Sequence, residues 1–141
     1  MSGANLLDVN VLLALFWPRH TSHTAARRWF ASHRNQKWAT CALTQSGFVR
    51  LLSNPAITLG LVQPQEALRV LEENAKDSRH EFWPMELPLA EAIRLSGLNL
   101  EGHRQVTDLY LLGLASHRGG RLVTFDEKLA KAGRHAILLR G

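Results

Sequence analysis

Between Asn5 and Phe16 the hydrophobic period changes from two to 3.6 residues. Leu6 and Leu7 read as the end of a buried strand, whereas Val9, Leu12, Leu13 and Phe16 recur at the i, i+3, i+4, i+7 spacing of a helix. The switch falls at Asp8, so a carboxylate stands where a strand hands over to a helix. In an open α/β sheet that junction faces the crevice in which ligands bind.

The same handover recurs along the chain. A second helix is expected at 22–34, with Ser22 as its N-cap and Ala26, Trp29, Phe30 and His33 on one face. A short strand at 37–41 precedes a helix from Thr44 to Ser53, which Asn54-Pro55 ends. Residues 54–63 read as loop with room for a few ordered turns, and Pro64 opens a helix carrying Ala67, Leu68, Leu71 and Ala75. The strand at 80–84 is placed at a sheet edge because Pro84 closes it. Pro88 starts another helix, 99–106 is polar loop, and 107–117 is apolar nearly all round, as a buried helix is. Gly119-Gly120 caps that helix; a strand at 121–125, a helix at 127–132 and a strand at 136–139 complete the pattern. Strands alternating with helices imply a parallel sheet with right-handed crossovers. The expectation is one domain over 1–141. It is α/β in class, a three-layer α/β/α sandwich with a roughly five-stranded parallel sheet and about seven helices.

A chain of 141 residues buries enough surface to need no covalent staples. Its net charge of +5 favours a polyanionic partner. The single cysteine, Cys41, makes neither an internal disulfide nor a zinc site, which suits a reducing compartment. The first apolar run holds Asp8 and Asn10 and stops by Trp17-Pro18, too short and too polar for a membrane span or signal peptide. A cytoplasmic location with no membrane partner is therefore expected.

Asp8, Asp108 and Asp126 share a setting. Each follows a strand or opens a helix, and each has apolar neighbours, so each is expected to be at least partly buried. Singly, Asp8 and Asp126 also read as helix caps. Asp108 resists that reading, because Thr107 beside it is the more natural cap. Three gathered carboxylates raise one another's pKa unless a cation lies among them. Oxygen ligands without His or Cys select a hard ion, Mg2+ or Mn2+.

Four blocks, Asp8-Val9-Asn10-Val11-Leu12-Leu13-Ala14-Leu15, Thr44-Gln45-Ser46-Gly47-Phe48-Val49-Arg50, Thr107-Asp108-Leu109-Tyr110-Leu111-Leu112 and Val123-Thr124-Phe125-Asp126, resemble those of PIN domains. They are most similar to VapC-type toxins of bacterial toxin–antitoxin pairs. The blocks occur in family order and span almost the whole chain. The resemblance implies a Mg2+- or Mn2+-dependent endoribonuclease, dimeric and held inactive by an antitoxin. It assigns Asp8, Asp108 and Asp126 to the acidic metal and catalytic positions, and Asn10 and Thr124 to places near the metal. The family's second acid falls on Gln45, a departure. A carboxamide offers a neutral oxygen but no charge, and it cannot act as a base. The site then holds three negative charges rather than four, with Glu127 as a candidate substitute. Two readings stay open: an enzyme with a weakened metal site, or a PIN-like domain that binds RNA or a protein without cutting.

Phosphate contacts require guanidinium or ammonium groups, and Arg50, His103, Arg104, Arg118 and Arg121 are the candidates for an RNA groove. Singly, each also reads as solvated surface. His20 and His23 have ligand spacing but no third partner, and read as surface histidines. The four tryptophans read as core or as apolar surface beneath a partner. The resemblance places an antitoxin groove at Phe16, Trp17, Phe48, Leu51 and Leu52. A phosphate-accepting receiver domain is disfavoured: it needs an aspartate ending the middle strand and a lysine ending the last, and neither is present.

Overall fold

The computed structural model describes residues 3–140. In chain order its elements are β1 (Asn5–Leu7), α1 (Val9–Phe16), α2 (His23–Ser32), β2 (Trp38–Thr40), α3 (Ala42–Leu52), α4 (Pro55–Thr58), α5 (Pro64–Asn74), β3 (His80–Phe82), α6 (Leu89–Ser96), α7 (Val106–His117), β4 (Arg121–Thr124), α8 (Glu127–Ala132) and β5 (Ala136–Leu138). A 3-10 turn, His103–Gln105, leads into α7.

All five strands are parallel, in the order β3-β2-β1-β4-β5. β1 lies at the centre, with Leu6 level with Ala39 and Leu122. β3 is an edge strand, as Pro84 foretells. Leu6 and Leu7 point to opposite faces, as neighbours in a strand must. Leu6 joins the core with Trp83, Ala92, Leu111, Leu114 and Leu129, beneath α6, α7 and α8. Leu7 joins the other core with Leu12, Leu15, Trp38, Phe48 and Leu71, beneath α1, α2, α3 and α5. The result is three layers, with helices on both faces of the sheet. Leu109 through Ala115 are all buried, so α7 is enclosed as its composition requires. It lies so close to α6 that a Cβ on Gly113 would strike the Ala92 backbone.

The structure refines three expectations. The described residues hold eight α-helices rather than about seven, because an ordered turn in the 54–63 loop is the short helix α4. Asn54 caps α4 by accepting from the Ala56 N–H at 2.9 Å, and Pro55 fills the first turn. Next, α3 begins at Ala42 rather than Thr44. Thr44 Oγ1 reaches back to accept the Cys41 N–H at 3.0 Å, so the cap comes from inside the helix. Finally, Ser22 is the N-cap residue of α2 as expected, but its side chain makes no capping bond. Among the described residues no helix is long and apolar enough to cross a membrane.

Candidate active site

Parallel pairing puts the carboxyl ends of β1 and β4 side by side, and the backbone ladder runs past them. Asp8 N–H donates to the Val123 carbonyl at 3.0 Å. Asp8 caps α1, with Oδ1 accepting from Val9 N–H at 2.9 Å. Its second oxygen, Oδ2, accepts from Thr124 Oγ1 at 2.8 Å, a contact across 116 residues of sequence. Thr124 is buried, and its hydroxyl oxygen also accepts the Asp126 N–H at 3.1 Å. One threonine therefore joins the two aspartates. Asp126 in turn caps α8 through Leu129 N–H at 3.0 Å. Its side chain is exposed, contrary to expectation, because Phe125 and Leu129 on either side turn inward while the cap stands at the surface.

Asp108 lies in the first turn of α7, half-buried. Among the described residues it has neither a hydrogen-bond donor nor a cationic partner. Burial, then the charges of Asp8 and Asp126, push its carboxyl from 3.8 up to about 6. Asp8 is also raised, chiefly by burial; the bonds from Thr124 and Val9 oppose the rise, and Asp126 adds to it. Coulombic effects of that kind require proximity, so aspartates 100 and more residues apart share one field. Among the described residues, no three His, Cys, Asp or Glu side chains stand within reach of a single ion. Asp8 and Asp126 are each bound to their own caps. The donor chemistry nonetheless fits a hard divalent ion: carboxylate oxygens, mutually repelling, none ion-paired among the described residues.

A cleft of about 470 Å³ opens beside Asp108 and Asp126. Leu98, Leu109 and Leu129 form its apolar lining, and Arg104 and Lys128 stand on its walls. Asp8 is outside this lining. Arg104 is thus the arginine candidate that lines the cleft, with His103 next to it in the 3-10 turn and exposed. Arg50 is exposed in the last turn of α3. Arg118 and Arg121 are at the opposite end of the molecule. Ten helical residues separate Arg118 from Asp108, about 15 Å of rise, and Arg121 begins the strand whose far end carries Thr124. Arg118 Nη2 instead pairs with Glu86 at 3.1 Å, and its guanidinium sits over the Trp83 ring. Lys128 was not singled out in the sequence, although its place two residues after Asp126, in the first turn of α8, was the available signal.

Gln45 stands in the first turn of α3, half-buried, and its Nε2 donates to Thr40 Oγ1 at 3.0 Å. Asn10 is exposed. Glu127 lines a separate groove with Phe125, Leu138 and Arg140, facing away from Asp108. His23 Nδ1 bonds the Ala14 carbonyl at 2.8 Å and His20 Nδ1 accepts the Ser22 N–H at 2.9 Å, so both are held by backbone. Trp38 and Trp83 are core; Trp17 and Trp29 are half-buried against it.

The PIN domain family matches residues 6–135. Over 125 residues the chain is 43% identical to the protein named Ribonuclease VapC39 of Mycobacterium tuberculosis, covering 89% of this chain and 90% of that one. Among solved structures it is similar to PAE2754 from Pyrobaculum aerophilum, with a TM-score of 0.64, 26% identity, and 99% and 91% of the two chains covered. It also resembles the structure of VapBC2 from Rickettsia felis bound to a DNA fragment from their promoter, with a TM-score of 0.60 at 17% identity over 96% of each chain, a likeness of fold.

Proposed function

The chain belongs to the PIN domain family, among its VapC-type ribonucleases, and on that footing we propose that it is a Mg2+- or Mn2+-dependent endoribonuclease, the toxin of a bacterial toxin–antitoxin pair. One observation carries the reading: Asp108, half-buried and without a donor beside a cleft that Arg104 and Lys128 also line, is pushed up by burial and by the charges of Asp8 and Asp126, remote in sequence. These three would hold the ion. When bound, a divalent ion supplies a water of lowered pKa and neutralises charge at the phosphate under attack.

The chain's own residues have distinct tasks. Asp8 is the fixed member, with both oxygens held by Val9 N–H and Thr124 Oγ1. Asp108 has no donor to satisfy, so its oxygens are free to orient a water and take its proton. Arg104 and Lys128 neutralise phosphates flanking the scissile bond. Arg50 and His103 extend the contact surface. Water is the nucleophile, and no covalent enzyme intermediate is needed. The half-buried Phe16, Trp17 and Leu51, packed over Phe48 and Leu52, offer an apolar face to the antitoxin. The working form is a homodimer.

The test uses total bacterial RNA with Mg2+, Mn2+ or a chelator, for the wild type and Asp8→Asn. Cleavage is expected with either ion and is lost in chelator and in the variant. Cleavage that survives the chelator refutes the mechanism.

A further inference from the structure

Thr40, the last residue of β2, is fully buried, and its hydroxyl makes two hydrogen bonds. One, at 2.8 Å, is to Nε2 of His80 at the start of β3. The other, at 3.0 Å, comes from Nε2 of Gln45. A hydroxyl has one proton to give. A hydrogen bond with the Ala75 backbone raises the His80 pKa, and with Nε2 turned to Thr40, Nδ1 is the nitrogen left to donate it. In the neutral ring the other nitrogen, Nε2, is then an acceptor, and Thr40 must donate to it. Thr40 Oγ1 can therefore only accept from position 45. The amide NH2 can donate there, whereas the amide oxygen cannot.

The geometry assigns Thr40 and His80 as positioning residues that lock the Gln45 carboxamide with its NH2 against β2 and its oxygen as the end offered to the aspartate site. The inference rests on the nuclease reading for its purpose and on the hydrogen-bond chain for its substance. α3 leaves β2 directly and rests on Val9, where a Cβ on Gly47 would come within 2.7 Å of the Val9 side chain. The β1–β2 register, with Leu6 level with Ala39, sets Thr40 beside the end of β1 that Asp8 follows, so Gln45, bonded to Thr40, stands at the same carboxyl edge of the sheet. A neutral oxygen of fixed direction there suits a hard cation or its water without adding a fourth charge. The relay is built for an amide. A carboxylate at 45 would demand Thr40's only proton, leaving His80 Nε2 facing a lone pair until the ring gained a second proton.

The charged groups around His80 are accounted for. Burial lowers its pKa, while Ala75, Asp77 and Glu81 act in the other direction. Asp77 is paired with Arg79 at 2.9 Å and Glu81 with Lys37 at 3.4 Å, and the Trp38 ring lies against the imidazole.

The experiment is 15N NMR of the full-length chain, reading the tautomer and titration midpoint of His80. In the wild type the neutral ring is expected to carry its proton on Nδ1. In Gln45→Glu the midpoint should rise by about one pH unit, the scale of one hydrogen bond to a charged group. In Gln45→Glu/Thr40→Val that rise should vanish, and Thr40→Ser should behave as wild type. An Nε2–H tautomer in the wild type overturns the proposal. So does a Gln45→Glu shift that persists without the hydroxyl, since that is plain Coulombic attraction. The tautomer needs no substitution, so the test survives a variant that fails to fold. Neither RNA nor metal enters the readout, so loss of the nuclease reading and loss of the relay are separate results.

Discussion

Asp108→Asn should stabilise the metal-free protein at neutral pH while abolishing cleavage. In the fold the Asp108 carboxyl rises from 3.8 to about 6, first through burial and then through Asp8 and Asp126. A rise of that size corresponds to ~3 kcal/mol if taken at face value. The side chain is only half-buried, and solvent screening reduces the figure to roughly 1–2 kcal/mol. The sign follows from linkage. A carboxyl whose folded pKa is raised favours the folded state below 3.8, and that contribution is lost as pH climbs through about 6. The ionised wild type therefore bears the penalty above about pH 6, and asparagine does not. Thermal unfolding should show the variant melting roughly 3–6 °C higher at pH 7.5, with the gap closing by about pH 4. Added Mn2+ should raise the melting point of the wild type, whose carboxylates it would bridge, more than that of the variant. A variant no more stable than wild type at pH 7.5, or a gap that ignores pH, would refute the claim that Asp108 sits uncompensated in its neighbours' field.

Thr124→Val removes the bond that holds Asp8 down, so the Asp8 pKa should rise further, the acid limb of the cleavage profile should move to higher pH, and activity should fall about 10–100-fold. Gly113→Ala forces a methyl into the Ala92 backbone, separating α6 from α7; a loss of about 3 kcal/mol in chemical denaturation is expected. Arg104→Ala should weaken RNA binding and flatten its salt dependence, while Arg118→Ala, at the far end of α7, should leave both unchanged; equal effects from the two would misplace the cleft.

The sheet was legible because alternation is a local signal. Leu6 and Leu7 declare a two-faced strand, and 107–117 declares an enclosed helix. Asp8 was legible because two periodicities meet on it. What was missed has no periodicity to show. α4 is four residues long and rests on a side-chain cap at Asn54 and a proline, and a single turn has no face to repeat. The start of α3 is fixed by Thr44 reaching back to Cys41, two residues before the point at which the sequence opens the helix. Arg118 and Arg121 qualify for an RNA groove by their guanidinium chemistry alone, but a twelve-residue α-helix carries the chain away from Asp108 before it reaches them. The Thr40–His80 bond joins residues 40 apart, brought together only by the pairing of β2 with β3.

Capping and metal binding were set against each other as readings of Asp8 and Asp126, but in the fold they do not compete. A carboxylate has two oxygens. In both residues one oxygen accepts a helix N–H, which turns the side chain toward the end of the sheet and fixes the direction of the other. Capping is thus how the chain aims these two groups, and it offsets part of what their proximity costs. Asp108 has no such compensation: it caps nothing, accepts nothing among the described residues, and stands where Asp8 and Asp126 make its charge least welcome. Asp108, half-buried in the first turn of the most enclosed helix, is therefore the group whose charge the proposed divalent ion would most relieve.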